Sequence, residues 1–197
     1  MRATPKPAQR VKRLDDPRTL RALAHPLRLQ LLGILRTAGP ATVSSLAGSV
    51  GQAVPLVSYH LRQLADHGFI EEAPELAKDR RETWWKSSHE FTSWSITDFL
   101  DTPERLDAIG VFQREVLQRH FERIQEFFAE APSWSREWLD ASEMSDVRVT
   151  LTPSQLKELI GELWEVIDRW RHREPEPDGA QSTELIFYAF PIRQGSP

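Results

Sequence analysis

The sequence predicts a mainly helical chain of the α+β class. It should hold a cluster of short helices with a β-hairpin, then one long helix, then a small C-terminal α/β region with a short sheet. Three observations predict this. Apolar residues recur at three- and four-residue spacing through most of the chain, the period of helices packed on one side. Residues 69–73 and 82–87 are strand-like and flank a polar loop of hairpin length. From residue 103 to the proline at 132 the helical spacing continues unbroken over a wide apolar arc.

The elements follow in order. Residues 1–14, with Pro5, Pro7, Arg10, Lys12 and Arg13, read as a flexible basic arm. Asp16 before Pro17 is an N-cap followed by proline at the first helical position, and Leu20, Leu23 and Ala24 share one face of the short helix it opens. Pro26 opens a second helix, with Leu27, Leu31, Ile34 and Leu35 at helical spacing, and Gly39-Pro40 stops it. After an extended lead-in at 41–43, Ser44 or Ser45 is placed to cap a helix over 46–50, and Gly51 to end it in the left-handed conformation. A fourth helix spans 54–67, apolar at Leu56, Val57, Leu61 and Leu64, and Gly68 closes it. The strands 69–73 and 82–87 complete a helix-turn-helix with a β-hairpin wing.

Asp101-Thr102-Pro103 opens the long helix, which carries two apolar stripes. One is Leu106, Leu117, Phe121, Ile124 and Phe128; the other is Ile109, Phe112, Val116 and Phe127. One stripe should pack on the chain itself and the other on a second subunit, and the dimer face is assigned to Ile109, Phe112, Val116 and Phe127. Residues 134–143 stay open between helix and loop. Residues 146–151 alternate Val147, Val149 and Leu151 as a strand does. Thr152-Pro153-Ser154-Gln155 is a capping box, ahead of a helix through Leu156, Leu159, Ile160, Leu163, Ile167 and Trp170. Residues 183–192 are apolar enough for a strand buried on both faces, paired with 147–151 over the long helix. The organisation is an arm at 1–14, a first domain at 15–90, and a C-terminal dimerisation and effector-binding domain at 91–197.

The charge is divided along the chain. Residues 1–90 hold 14 Lys and Arg against 9 Asp and Glu, a net +5; residues 91–197 hold 11 against 20, a net −9. A basic half joined to an acidic half suits a nucleic-acid-facing domain attached to something else. The chain has no cysteine, which excludes disulfides, thiolate metal sites and a cysteine nucleophile. No Ser/His/Asp set, phosphate-binding glycine loop or metal-spaced histidine pair is evident, so no enzyme and no cofactor is expected. No apolar run reaches the ~18–20 residues of a membrane span. No secretion signal follows Met1, and the expected location is the cytoplasm.

The residues suited to reading DNA lie around the turn. Gln52, Ser58, Tyr59, Arg62 and Gln63 fall on the polar side of the fourth helix, whose opposite side must pack inward. Such a helix fits a major groove about 12 Å wide, where Arg62 matches guanine O6/N7 or a phosphate, and Gln52 and Gln63 match adenine. The hydroxyls of Ser44, Ser58 and Tyr59 suit phosphate contacts, which position rather than specify. Ser44 is equally a plain cap, and Tyr59 is open between core and phosphate. His60, beside Leu61 and Leu64, reads as a packed, hydrogen-bonded histidine.

With these residues in view, 16–88 resembles the winged-helix domain of ArsR-type bacterial transcriptional repressors. The strings that carry it are LAHPLRLQLLGIL (23–35), ATVSSLA (41–47), VSYHLRQLADHGFI (57–70) and RRETWWKSS (80–88). The resemblance implies a homodimer on a near-palindromic operator of double-stranded DNA, with the fourth helix in the major groove. It also implies a wing whose Lys78, Arg80 and Arg81 lie over the flanking minor groove or backbone. The metal sites of such repressors do not carry over. The Cys-x-Cys position falls near Thr42 and Ser44, and the long helix offers His120, Glu122 and Glu126 without a second histidine.

Five of seven tryptophans lie in the tail, and Trp134, Trp138 and Trp164 are candidates to line a pocket for a small organic effector. They serve equally as core, since each buries ~150–250 Å². The expected function is therefore a dimeric DNA-binding repressor released by an organic effector rather than a metal. The alternative is a winged-helix module that binds protein or RNA.

Overall fold

The computed structural model describes residues 11–77, 79, 82–174 and 178–193. The chain divides into two units, one over residues 8–129 and one that includes 130–197.

The first unit opens with strand β1 (Val11–Leu14), followed by α1 (Pro17–Leu23), α2 (Pro26–Thr37), β2 (Ala41–Thr42), α3 (Val43–Val50) and α4 (Val54–Asp66). Strands β3 (Ile70–Glu72), β4 (Trp84–Ser87) and β5 (Phe91–Trp94) precede the 28-residue helix α5 (Pro103–Glu130). Local chemistry sets the helix ends. The Asp16 carboxylate accepts from the Thr19 N–H, His25 Nδ1 accepts from the Leu27 N–H, and Gly51 closes α3 at φ +63°. The cap of α3 is Thr42, whose side chain accepts from the Ser45 N–H at 3.2 Å. Neither Ser44 nor Ser45 caps the helix, because it begins at Val43.

Two small sheets complete the unit. β4 lies between β2 and β3, antiparallel to both, with Ala41 opposite Trp85 and Ile70 opposite Ser87. β1 runs parallel to β5, from Val11 opposite Phe91 to Leu14 opposite Trp94. This corrects the arm: Val11–Leu14 is part of the fold, and Leu14 is fully buried. The remainder of the arm, 1–10, lies outside the described residues.

The core joins Leu20, Leu23, Leu31, Leu35, Leu46, Val57, Leu61, Leu64, Phe69 and Trp85 to Phe99, Ala108, Ile109 and Phe112. α5 is thus anchored on its own winged helix. The Arg105 guanidinium secures its start, donating to the carbonyls of Asp15 (2.9 Å) and Asp98 (2.6 Å). Arg36 joins α2 to the segment before and within β5, through the His89 carbonyl (3.1 Å) and the Thr92 hydroxyl (2.8 Å). Burial lowers the Arg36 pKa to about 10, which leaves it charged at neutral pH.

This packing corrects the assigned dimer face. Ile109 and Phe112 are buried in the chain's own core, and Val116 packs against that core. Trp94 meets Phe112 at 5.0 Å between ring centroids, so Ile109 and Phe112 have no surface left for a partner, while Val116 is partly buried. Phe127 is half-buried. The other stripe, Leu106, Leu117, Phe121, Ile124 and Phe128, is exposed.

In the second unit, α6 (Arg136–Ala141) and α7 (Pro153–Arg171) contain no buried residue. The capping box of α7 forms as expected, with Thr152 and Gln155 bonded reciprocally. The expected C-terminal sheet does not form: among the described residues, 146–151 and 183–192 contain no strand. Alternation makes a segment competent for a sheet, but a ladder needs a neighbour for its backbone groups. Here Val147, Val149, Leu185 and Phe190 point into solvent, while Phe187 meets Trp164 at 5.8 Å between ring centroids.

Candidate nucleic-acid interface

α4 has two faces. Val57, His60, Leu61 and Leu64 are buried against α1, α2 and α3. The opposite face carries Leu56 at 41% exposure, Tyr59 at 54% and an exposed Arg62. The spacing 56, 59, 62 (i, i+3, i+6) keeps these three on adjoining turns of one side. Ser58 and Gln63 are half-buried at the edges of that face, and Gln52 is exposed in the turn before it. Ser44 is exposed on the second residue of α3. The Tyr59 ring is therefore outside the core, and it meets His60 edge-on at 5.1 Å.

Sequence reasoning missed Val54 and Leu56. Both are exposed at the first turn of α4, at 45% and 41%. The sequence leaves Leu56 or Val57 open as the inward position, and the structure puts Val57 inward and Leu56 outward. The residues that pack inward are 57, 60, 61 and 64, and on that wheel position 56 falls outside the arc, which is the signal that finds it. Apolar side chains at this position suit the thymine methyl group.

The wing is formed by β3 and β4, with a 3-10 turn at Pro74–Leu76 between them. Trp85 is its buried anchor. Lys86 is engaged by Glu75 at 2.8 Å and Glu71 at 3.7 Å. The hydrogen bond to Glu75 holds that carboxyl below the usual range and the ammonium above its own. The Trp84 indole donates to Glu82 at 3.2 Å. Lys78, Arg80 and Arg81, expected to touch DNA, lie outside the described residues.

In the tail, Trp134, extended just before α6, meets Trp138 of α6 at 6.4 Å between ring centroids, and Trp164 meets Phe187. Among the described residues no group of three or more His, Asp or Glu side chains could hold a metal ion. No described helix is long and apolar enough to cross a membrane.

A short helix, a glycine-closed turn, an amphipathic second helix and an antiparallel ribbon define a winged helix-turn-helix. That is the architecture of DNA-binding transcriptional regulators. Residues 23–73 match the model of a helix-turn-helix domain family, which places the match over α2 to β3. Similar solved structures include the homodimeric winged helix-turn-helix DNA-binding domain (fragment 1–100) of Mb0332 from Mycobacterium bovis, described as a possible ArsR-family transcriptional regulator. It is 21% identical over 53% of this chain and 76% of that one, with a TM-score of 0.33. The transcriptional regulator PA4135 is 16% identical over 79% of this chain and 85% of its own, with a TM-score of 0.32. A mutant of Lactococcus lactis ZitR in apo form is 13% identical over 75% and 82%, with a TM-score of 0.30. Scores this low leave the fold to rest on the chain's own elements and on the family match. No curated protein matches the chain.

Proposed function

We propose that this protein is a transcriptional repressor of the ArsR type that binds a near-palindromic operator as a homodimer. The observation that carries the reading is the two-faced α4. Its buried side fixes it on the domain, while Leu56, Tyr59 and Arg62 stand clear of the surface at the spacing a major groove admits. Arg62 reads guanine or grips phosphate, Leu56 meets a thymine methyl, and Ser44, Gln52, Ser58, Tyr59 and Gln63 supply flanking contacts. Lys78, Arg80 and Arg81, which fall between β3 and β4 in the sequence, are expected to add positive charge for phosphate contacts.

The exposed α5 stripe supports the homodimer. Leu117, Phe121, Ile124 and Phe128 recur at helical spacing and are each 38–59% exposed. A second copy of the same stripe covers them, placing two α4 helices on half-sites about one helical turn apart. The tail, with the Trp134–Trp138 pair and the Trp164–Phe187 contact, is the candidate seat of a small organic effector.

One observation favours the protein-binding side of the rival reading, a protein- or RNA-binding module. The described wing is rich in carboxylates, with Glu71, Glu72, Glu75 and Glu82, which repel phosphate. Fluorescence anisotropy on random-sequence duplex, followed by selection and footprinting, separates the two. The repressor reading requires duplex binding with a protected, two-fold symmetric site. Binding to RNA or to a protein, without duplex binding, overturns it.

A further inference from the structure

The buried face of the reading helix contains a histidine pair. His60 is 5% exposed and is the one buried polar or charged side chain among the described residues. Its ring lies 4.4 Å from that of His25, tilted by 43°. His25 is the N-cap of α2, and its Nδ1 accepts from the Leu27 N–H at 3.2 Å. That bond needs the Nδ1 lone pair, so a neutral His25 carries its proton on Nε2. The Nδ1 of His60 is buried and has no hydrogen-bond partner.

We propose that the His25–His60 pair is a proton-sensitive latch: α4 is held in its seat while both imidazoles are neutral, and is loosened when the pair takes up a proton. Three costs follow from protonation here. A proton on Nδ1 of His25 destroys the acceptor that caps α2. A proton on Nδ1 of His60 places a charged N–H in the core without an acceptor. A first charge on either ring opposes a second one 4.4 Å away.

The groups around the pair point the same way, with one exception. Arg28, on α2, adds positive charge beside both rings, and its Nη2 is held by the Arg21 carbonyl at 3.3 Å. Tyr59, on α4, places an aromatic edge on His60 and interacts with Arg28. Glu115, on α5, is the exception and favours a charged His25. Burial first, then Arg28, holds His25 below its ordinary value of 6.5. Burial, then His25 and Arg28, does the same for His60. The loosened state therefore takes up protons near pH 6.5, before the seated state does. The seat is fully stable above that pH and weakens as pH falls through the window below it.

The latch acts on stability whether or not α4 reads DNA; its effect on operator binding rests on the repressor reading. The test uses the full chain, whose six histidines give a simple imidazole spectrum. In an NMR titration, His25 and His60 should titrate below the ordinary histidine range, and titration of both at or above it overturns the latch. In urea unfolding, moving from pH 7.5 to 5.5 should lower the folding constant of the parent at least fivefold more than that of His25→Asn or His60→Phe. Asparagine keeps the cap without the titration, and phenylalanine keeps the ring contact. Equal pH dependence in parent and variants overturns the proposal. With DNA, the parent should lose affinity on acidification and the variants should lose less. Failure to bind any duplex at pH 7.5 counts against the repressor reading alone, since the stability arm contains no DNA.

Discussion

The ring of Trp94 meets the ring of Phe112 edge to face, with 5.0 Å between centroids and an 88° interplanar angle. The contact joins the last strand of the first unit to the long helix and explains why α5 cannot offer Phe112 to a second subunit. Phe112→Ala empties a fully buried site, and the expected loss of stability is about 3–5 kcal/mol. Phe121→Ala, on the exposed stripe, should cost the isolated subunit less than ~1 kcal/mol but raise the dimer dissociation constant. Urea unfolding at several protein concentrations, with sedimentation equilibrium, distinguishes the two. Equal effects on stability would return the dimer face to the Phe112 stripe.

Salt tests the α4 surface. If each subunit makes three or four phosphate contacts, a dimer neutralises roughly six to eight, and log K should fall against log salt with a slope of about −5 to −7. Arg62→Ala should weaken operator binding by ~1–3 kcal/mol per half-site if it reads a base, leaving random-sequence binding nearly unchanged. Equal weakening on both duplexes, with a shallower slope, makes Arg62 a phosphate contact.

Much of this architecture was legible because the first 100 residues are punctuated. Asp16-Pro17, Gly51 and Gly68 mark element ends by local chemistry, and the structure places ends there. Helical spacing also separated the inward residues 57, 61 and 64 of α4. The dimer face was not legible. Two apolar stripes on one helix are equivalent in sequence, and only the positions of Leu14, Trp94 and Phe99 decide which one the chain itself covers. The β1–β5 pair was hidden for a related reason. A four-residue strand amid basic and proline residues has no local signal, and its partner lies 80 residues away. The tail failed in the opposite direction, since alternation at 146–151 states what a segment can do and not whether a neighbour is there to pair with it.

The start of the helix-turn-helix gives a sharper contrast. Thr42→Ala removes the acceptor for the Ser45 N–H and should cost about 1 kcal/mol, while Ser44→Ala should stay within ~0.5 kcal/mol. Gly51→Ala has space for its methyl group but not the backbone freedom for φ +63°, and a further loss of roughly 1–2 kcal/mol is expected. Thermal unfolding of the three variants checks the order. A larger effect at Ser44 than at Thr42 would shift the cap.

Acid stability should carry a signature of Asp16. Partial burial pushes its carboxyl up, but the Thr19 N–H and hydroxyl, with Arg18, outweigh this and hold it below the usual value of 3.8. A lowered carboxyl contributes stability above its ordinary pKa and loses it as pH falls through the lowered one. Asp16→Asn keeps an N-cap of equal rank but cannot titrate. The difference in unfolding free energy between parent and variant should be constant from pH 7 to about 5 and then shift against the parent below pH 4. A constant difference down to pH 2 would show that Asp16 does not titrate with folding.

The sequence suggests that removing the tail exposes the long helix and causes aggregation, because strands at 147–151 and 183–192 were expected to cover it. The structure argues otherwise. Those strands do not form, α6 and α7 bury no residue, and the core ends at Ile109 and Phe112 with Val116 packed against it. Among the described residues, all the buried apolar side chains lie from Leu14 to Phe112. A chain ending at Glu130 should therefore fold, unfold cooperatively and lose less than about 1 kcal/mol, a shift of a few degrees in melting temperature for a domain of this size. It should still associate through Leu117, Phe121, Ile124 and Phe128, and bind duplex without responding to an effector. Calorimetry and sedimentation velocity on the shortened chain decide this. An aggregated or unfolded product would mean that the tail covers apolar surface which the first unit cannot leave bare.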